Sequence, residues 1–173
     1  MNGPSAAAAR WGRVWRVLLG NPTAAAGTVL VAVWVASAVL GPWLAPFDPY
    51  RVSLADRFLP PGTPGHPLGT DHYGRDILSR LLVGAGLDLL IAVVAVAGAV
   101  GGGLPIGLAA GYFGGRLDNV LMRGMDVLLA FPNLVLAMAL AAVLGPGLWN
   151  AIFALSLAGV AGYARIVRGL ALS

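Results

Sequence analysis

The 173-residue chain contains no cysteine, no lysine and no glutamate. Without cysteine there are no disulfides and no thiolate metal ligands. Charge is carried by eleven Arg and seven Asp alone, and charged residues make up only 10% of the sequence, whereas soluble domains carry about a quarter. With 58% hydrophobic residues and a mean hydropathy of +0.83, this scarcity points to lipid as the solvent. Catalytic signatures are missing as well. There is no Gly-x-Ser-x-Gly, no Walker-type phosphate loop and no intramembrane Ser/His pair, so the chain is read as a non-enzyme that uses no cofactor and is not itself an ATPase. The formal charge of +4 fits an anionic surface or nucleic acid in principle. The arginines sit beside apolar runs, however, so membrane orientation is the better reading and no nucleic-acid partner is expected.

A membrane-crossing helix needs roughly 20 mostly apolar residues. Four runs qualify: 23–44, free of charge; 87–112, interrupted by Asp88; 125–144, with Asp126 at its edge; and 148–164, ending at Arg165. The expected fold is therefore all-α, a polytopic transmembrane helical protein with about four spans and one long extracytoplasmic loop. The expected divisions are a cytoplasmic segment 1–22, a first transmembrane helix 23–44, the loop 45–86, and the remaining transmembrane helices in 87–173. The stretch Ala36-Ser37-Ala38 has the small-x-small form of a signal-peptidase site. The apolar run continues to Leu44, longer than a signal h-region of about 7–15 residues, which favours an uncleaved helix.

Arginine placement sets the orientation. Arg10, Arg13 and Arg16 precede the first span, Arg116 and Arg123 lie between the second and third, and Arg165 and Arg168 follow the fourth. All fall on one side if the spans alternate. In the loop, Arg51, Arg57, Arg75 and Arg80 are balanced by Asp48, Asp56, Asp71 and Asp76. Both termini are thus expected in the cytoplasm, with membrane lipid around the spans.

The loop is broken by Pro46, Pro49, Pro60, Pro61, Pro64 and Pro67, which forbid a long helix. Thr70 and Asp71 are candidate caps for a short amphipathic helix starting near Tyr73. The cluster His66, Asp71, His72 and Asp76 is weighed as a metal site and set aside, because no established ligand spacing is present. Capping, turn formation and ion pairing to Arg75 and Arg80 is the reading taken, and no metal is expected. In the second span Ala99, Gly103, Gly107, Gly111 and Gly115 recur every four residues, a smooth face for close helix approach. It packs either within the chain or against a partner. Pro105 is expected to kink this span. Arg123 and Asp126, three apart, are expected to pair on one helix face, and Phe131-Pro132-Asn133 to bend the third span.

Three stretches resemble the inner-membrane permease subunit of peptide-importing ATP-binding-cassette transporters, of the second-permease type found in dipeptide, oligopeptide and nickel systems. The first is His66-Pro67-Leu68-Gly69-Thr70-Asp71 with Gly74-Arg75-Asp76 and Leu78-Ser79-Arg80. The second is Gly111-Tyr112-Phe113-Gly114-Gly115 with Asp118, Met122-Arg123, Asp126 and Ala130-Phe131-Pro132. The third is Leu144-Gly145-Pro146-Gly147 with Gly162-Tyr163-Ala164-Arg165 and Val167-Arg168-Gly169. On these grounds Gly69, Thr70, Asp71, Gly74, Arg75, Asp76, Gly103, Gly107, Gly111, Arg123, Asp126, Pro132 and Arg165 are the candidate motif or packing positions.

The resemblance implies a pathway formed with a partner permease subunit, powered by separate cytoplasmic ATPase subunits and fed by an extracytoplasmic solute-binding protein, in the bacterial inner membrane. It also implies a coupling helix with a Glu-Ala-Ala…Gly signature and two more spans after the fourth. The sequence has no Glu and stops at Ser173, so it is expected to be a C-terminally truncated permease. Two rival readings are an ion-coupled secondary carrier, disfavoured because no ionisable residue lies mid-span, and a non-transporting membrane scaffold fragment.

Overall fold

Asn21 opens the first helix: its side-chain oxygen accepts from the backbone N–H of Thr23 at 3.0 Å and of Ala24 at 3.4 Å, and Pro22 occupies the first helical position, where its missing donor costs nothing. The computed structural model, which describes residues 20–172, places five helices in order: α1 (Pro22–Leu44), α2 (Ile77–Phe113), α3 (Gly115–Leu129), α4 (Asn133–Leu144) and α5 (Leu148–Ala171), with a 3₁₀ turn at Leu54–Asp56. Arg10, Arg13 and Arg16 lie outside the described residues. Among the described residues there are no β-strands, only the isolated bridges Thr63–His66 and Thr70–Asp76.

Helices α1, α2 and α5 are each long and apolar enough to cross a membrane, and α3 with α4 qualify together as a span bent by 85°. The 37 residues of α2 extend about 55 Å at ~1.5 Å per residue, more than the ~30 Å hydrocarbon layer. The protein is therefore an all-α polytopic membrane protein with three or four spans.

One expectation needs correction. Helix α2 does not start near Tyr73 under a Thr70 or Asp71 cap. It starts at Ile77, because Gly74 has φ +71°, a left-handed conformation that interrupts any helix there, and the Ser79 N–H is capped by Asp76 at 2.7 Å. The bend expected at Phe131-Pro132-Asn133 is present, turning the chain by 85°. Pro132 lacks an N–H and stands in an extended conformation (φ −55°, ψ 129°), so α3 ends at Leu129 and α4 restarts at Asn133. Helix α5 continues past Ala164 to Ala171.

The chain divides into two compact units, Met1–Leu89 and Leu90–Ser173. In the first, Gly41 of α1 meets the backbone of Leu82 so closely that a Cβ would overlap its carbonyl. In the second, α5 supplies most of the buried apolar residues: Ile152, Ala154, Ala158, Val160, Ala161 and Ala164. It starts where Asn150 donates to the Leu144 carbonyl at 2.9 Å and the Gly145 carbonyl at 3.2 Å, tying down the Gly145-Pro146-Gly147 turn.

Candidate functional site

Two clusters gather the candidate residues. The loop cluster is built on Asp71, which accepts from the backbone N–H of Tyr73 at 2.9 Å and of Arg75 at 3.0 Å. Its second oxygen receives the Arg75 guanidinium at 2.8 Å and the Arg80 guanidinium. Burial pushes the Asp71 carboxyl up, but these hydrogen bonds and the Arg75 charge outweigh it and hold the group well below the usual carboxylate range.

Asp76 is buried at 3% exposure. Its carboxylate receives both the N–H and the hydroxyl of Ser79 at 2.7 Å and meets His66 Nδ1 at 2.9 Å. Burial again raises the carboxyl, and the Ser79 and His66 contacts bring the net shift below the ordinary value. The Ser79 oxygen also accepts from the Phe47 N–H at 3.1 Å, and the Phe47 ring stacks on His66 with centroids 4.8 Å apart. Thr70 donates to the Asp56 carbonyl and accepts from the Leu59 N–H.

Gly69 and Gly74 have positive φ, and a Cβ on either would overlap a backbone carbonyl, of Leu59 and Ser53 respectively. The loop is therefore a folded plug at the head of α2, with Thr70, Asp76 and Ser79 buried inside it. Among the described residues no buried side-chain nitrogen or oxygen lacks a partner.

The second cluster is a seam between α2 and α5. A Cβ added to Gly103 would lie 2.7 Å from Tyr163 Cβ, one on Gly107 2.7 Å from Val167 Cβ, and one on Gly111 2.6 Å from Ala171 Cβ. Gly98 meets Ser156 and Gly102 meets Val160 in the same way. Of the two readings of the glycine ladder, packing within the chain is what the structure displays. Gly115, by contrast, stands in open space with φ +56° and belongs to the turn into α3.

Across from that seam, α3 grips the same end of α5. Arg168 donates to both oxygens of Asp118, and Arg165 pairs with Asp126. The Arg123–Asp126 pair expected from their spacing does not form, because Arg165 takes the Asp126 carboxylate and leaves Arg123 exposed. Pro132 marks the bend between α3 and α4, and its carbonyl accepts from the Leu136 N–H at 3.0 Å, opening α4.

Sequence reasoning missed Ser79, which is fully buried, and Arg168 as a site position. Ser79 had a readable signal, since Asp-x-x-Ser before an apolar run is a cap pattern. Arg168 had only its place in a motif.

Comparison with known proteins finds matches over both ends of the chain. Residues 9–61 match the N-terminal TM domain of oligopeptide transport permease C, and residues 103–173 match the binding-protein-dependent transport system inner membrane component. The chain is 44% identical over 161 residues to a probable D,D-dipeptide transport system permease protein of Escherichia coli (strain K12), covering 92% of this chain and 53% of that protein. It is 41% identical over 155 residues to the dipeptide transport system permease protein of Bacillus subtilis (strain 168), covering 90% and 48%. The di/tripeptide transport system permease protein of Pseudomonas aeruginosa (strain UCBPP-PA14) is 38% identical over 159 residues, covering 89% and 52%. The chain thus spans about half the length of the curated relatives it matches. Both segments match in the order in which the helices occur, and over nearly its whole length the chain is similar to inner-membrane permease components of binding-protein-dependent transport systems.

Proposed function

We propose that this chain forms part of the translocation pathway of an ATP-binding-cassette importer for dipeptides, oligopeptides or related small solutes. The observation that carries the reading is the 44% identity to a D,D-dipeptide permease over 92% of the chain. In this reading the pathway is completed by a partner permease subunit. Separate cytoplasmic ATPase subunits power it, and an extracytoplasmic solute-binding protein delivers the solute. The chain is multi-pass in the inner membrane with both termini cytoplasmic, so that the loop 45–86 faces outward as a docking plug.

Two roles follow for the candidate residues. The ion-paired loop residues Asp71, Arg75 and Asp76, with Gly69, Thr70 and Gly74, hold a fixed outer surface for the partner or the binding protein. Gly103, Gly107 and Gly111 seat α5, and Asp126 with Arg165 fixes its inner end, so that α5 moves as one body with α2 and α3 during alternating access.

A chimera tests this. The matched half of the Escherichia coli D,D-dipeptide permease is replaced by residues 1–173, and the host, lacking the native subunit, is grown on a D,D-dipeptide as nitrogen source. Growth supports the reading. No growth, with the chimera present in the membrane at native level, counts against it. Leu54→Cys should be labelled by a membrane-impermeant maleimide in intact cells, and labelling only after lysis would overturn the topology.

A further inference from the structure

The charges of α3 are sorted by side. Asp118 and Asp126 are both engaged by α5, through Arg168 and Arg165. Arg116 and Arg123 are exposed, and among the described residues neither guanidinium has an ion-pair or hydrogen-bond partner. At ~100° per residue, Arg116, Val120, Arg123 and Val127 fall on one narrow stripe. Val120 is 68% and Val127 64% exposed.

Apolar and cationic groups alternate along this stripe, so neither water nor hydrocarbon alone satisfies it. The helix lies between the end of α2 and an 85° bend into α4. Arg116 stands in the first turn of α3, whose start has no side-chain cap, and a cation there is disfavoured by the helix dipole. A cation so placed is stabilised by an anionic partner near it.

We propose that the outer stripe of α3 docks on anionic phospholipid, with Arg116 and Arg123 holding headgroup phosphates. Val120 and Val127 dip into the acyl boundary beneath them. Charge complementarity selects this occupant: the stripe presents two guanidiniums, which match phosphate oxygens. The alternation of long cationic and short apolar side chains is that of an interfacial helix. The proposal is independent of what the permease transports.

The test uses the full chain in mild detergent, mixed with equal amounts of phosphatidylglycerol and phosphatidylcholine, and counts retained lipid by mass spectrometry of the intact complexes. The wild type should retain phosphatidylglycerol preferentially, on the order of tenfold, and the preference should shrink as salt is raised. The double substitution Arg116→Gln/Arg123→Gln should bring the ratio close to one. Arg116→Lys/Arg123→Lys should keep most of it, and Arg51→Gln, which removes a loop charge, should leave it unchanged.

An unchanged ratio in the double Gln variant, or a wild-type preference insensitive to salt, would overturn the proposal. So would loss of self-association in the Gln variant with no change in lipid ratio, since the stripe would then be a contact between copies. Displacement of the lipid by inorganic phosphate would mark a free-anion site and would overturn it too. The salt titration needs no substitution, so the proposal stays testable even if the variants fail to fold.

Discussion

Arg168 and Asp118, fifty residues apart in sequence, form a two-pronged pair with Nε–Oδ1 at 2.5 Å and Nη2–Oδ2 at 2.6 Å. This fork fixes both the distance and the rotation of α5 relative to α3, which a single charge contact would not do. The neighbouring Arg165–Asp126 pair has side chains 55% and 60% exposed, against 33% and 15% for Arg168 and Asp118, and solvent weakens it correspondingly.

Asp118→Asn is therefore expected to lower the thermal unfolding midpoint in detergent by more than Asp126→Asn does. The exchange Asp118→Arg/Arg168→Asp should recover part of the loss. Equal midpoints for the two single variants would contradict the ranking.

Substitution along the seam should divide by position. Gly107→Leu drives a side chain into Val167 and the Ala164 carbonyl, and overpacking of this kind costs about 1–3 kcal/mol. Gly101→Ala, on the same helix but with nothing within 4 Å of its Cβ, should be neutral or stabilising by up to about 1 kcal/mol. Denaturant unfolding of both variants in detergent checks the contrast. A Gly107→Leu protein as stable as wild type would mean that α2 and α5 do not meet there.

In the loop, Gly74→Ala should open the plug, because the added methyl overlaps the Ser53 carbonyl and φ is +71°. Gly114→Ala has a similar φ of +61° but open space around it, so its cost is the backbone strain alone, about 1–3 kcal/mol. Limited proteolysis between residues 45 and 76 should accelerate in the first variant and not in the second.

The depressed carboxyl of Asp71 gives a signed pH effect. Its folded-state value lies below the ordinary value of 3.8, so its contribution to stability is complete above that value. It is lost as pH falls from there through the folded-state value. The midpoint difference between wild type and Asp71→Asn should be constant from pH 7 to about pH 5 and narrow below about pH 4. A gap that persists undiminished at the lowest pH the fold tolerates would mean that the Asp71 charge contributes nothing.

Much of this was legible because lipid imposes a simple code. The charge-free run 23–44 and helix α1 (Pro22–Leu44) nearly coincide, since nothing but a helix satisfies its backbone in hydrocarbon. The glycine spacing at 103, 107 and 111 likewise announced a close approach. Partner choice was not legible. Asp126 has Arg123 three residues away, yet pairs with Arg165, because the bend at Pro132 and the length of α5 bring a second cation to it. A cap at Asp76 was legible before the apolar Ile77-Leu78, whereas Asp71 is followed by the polar and turn-forming His72-Tyr73-Gly74-Arg75. The choice rests on the left-handed Gly74, a backbone conformation that residue type permits but does not impose.

The most direct test of the central claim is transport itself. Proteoliposomes carrying the chimeric permease with its partner permease and ATPase subunits would be supplied with binding protein and a labelled D,D-dipeptide. Accumulation that needs ATP and the binding protein, and that ignores a collapsed proton gradient, is the predicted result. Accumulation driven by a proton gradient with no ATPase present would contradict the account and mark the chain as part of a secondary carrier.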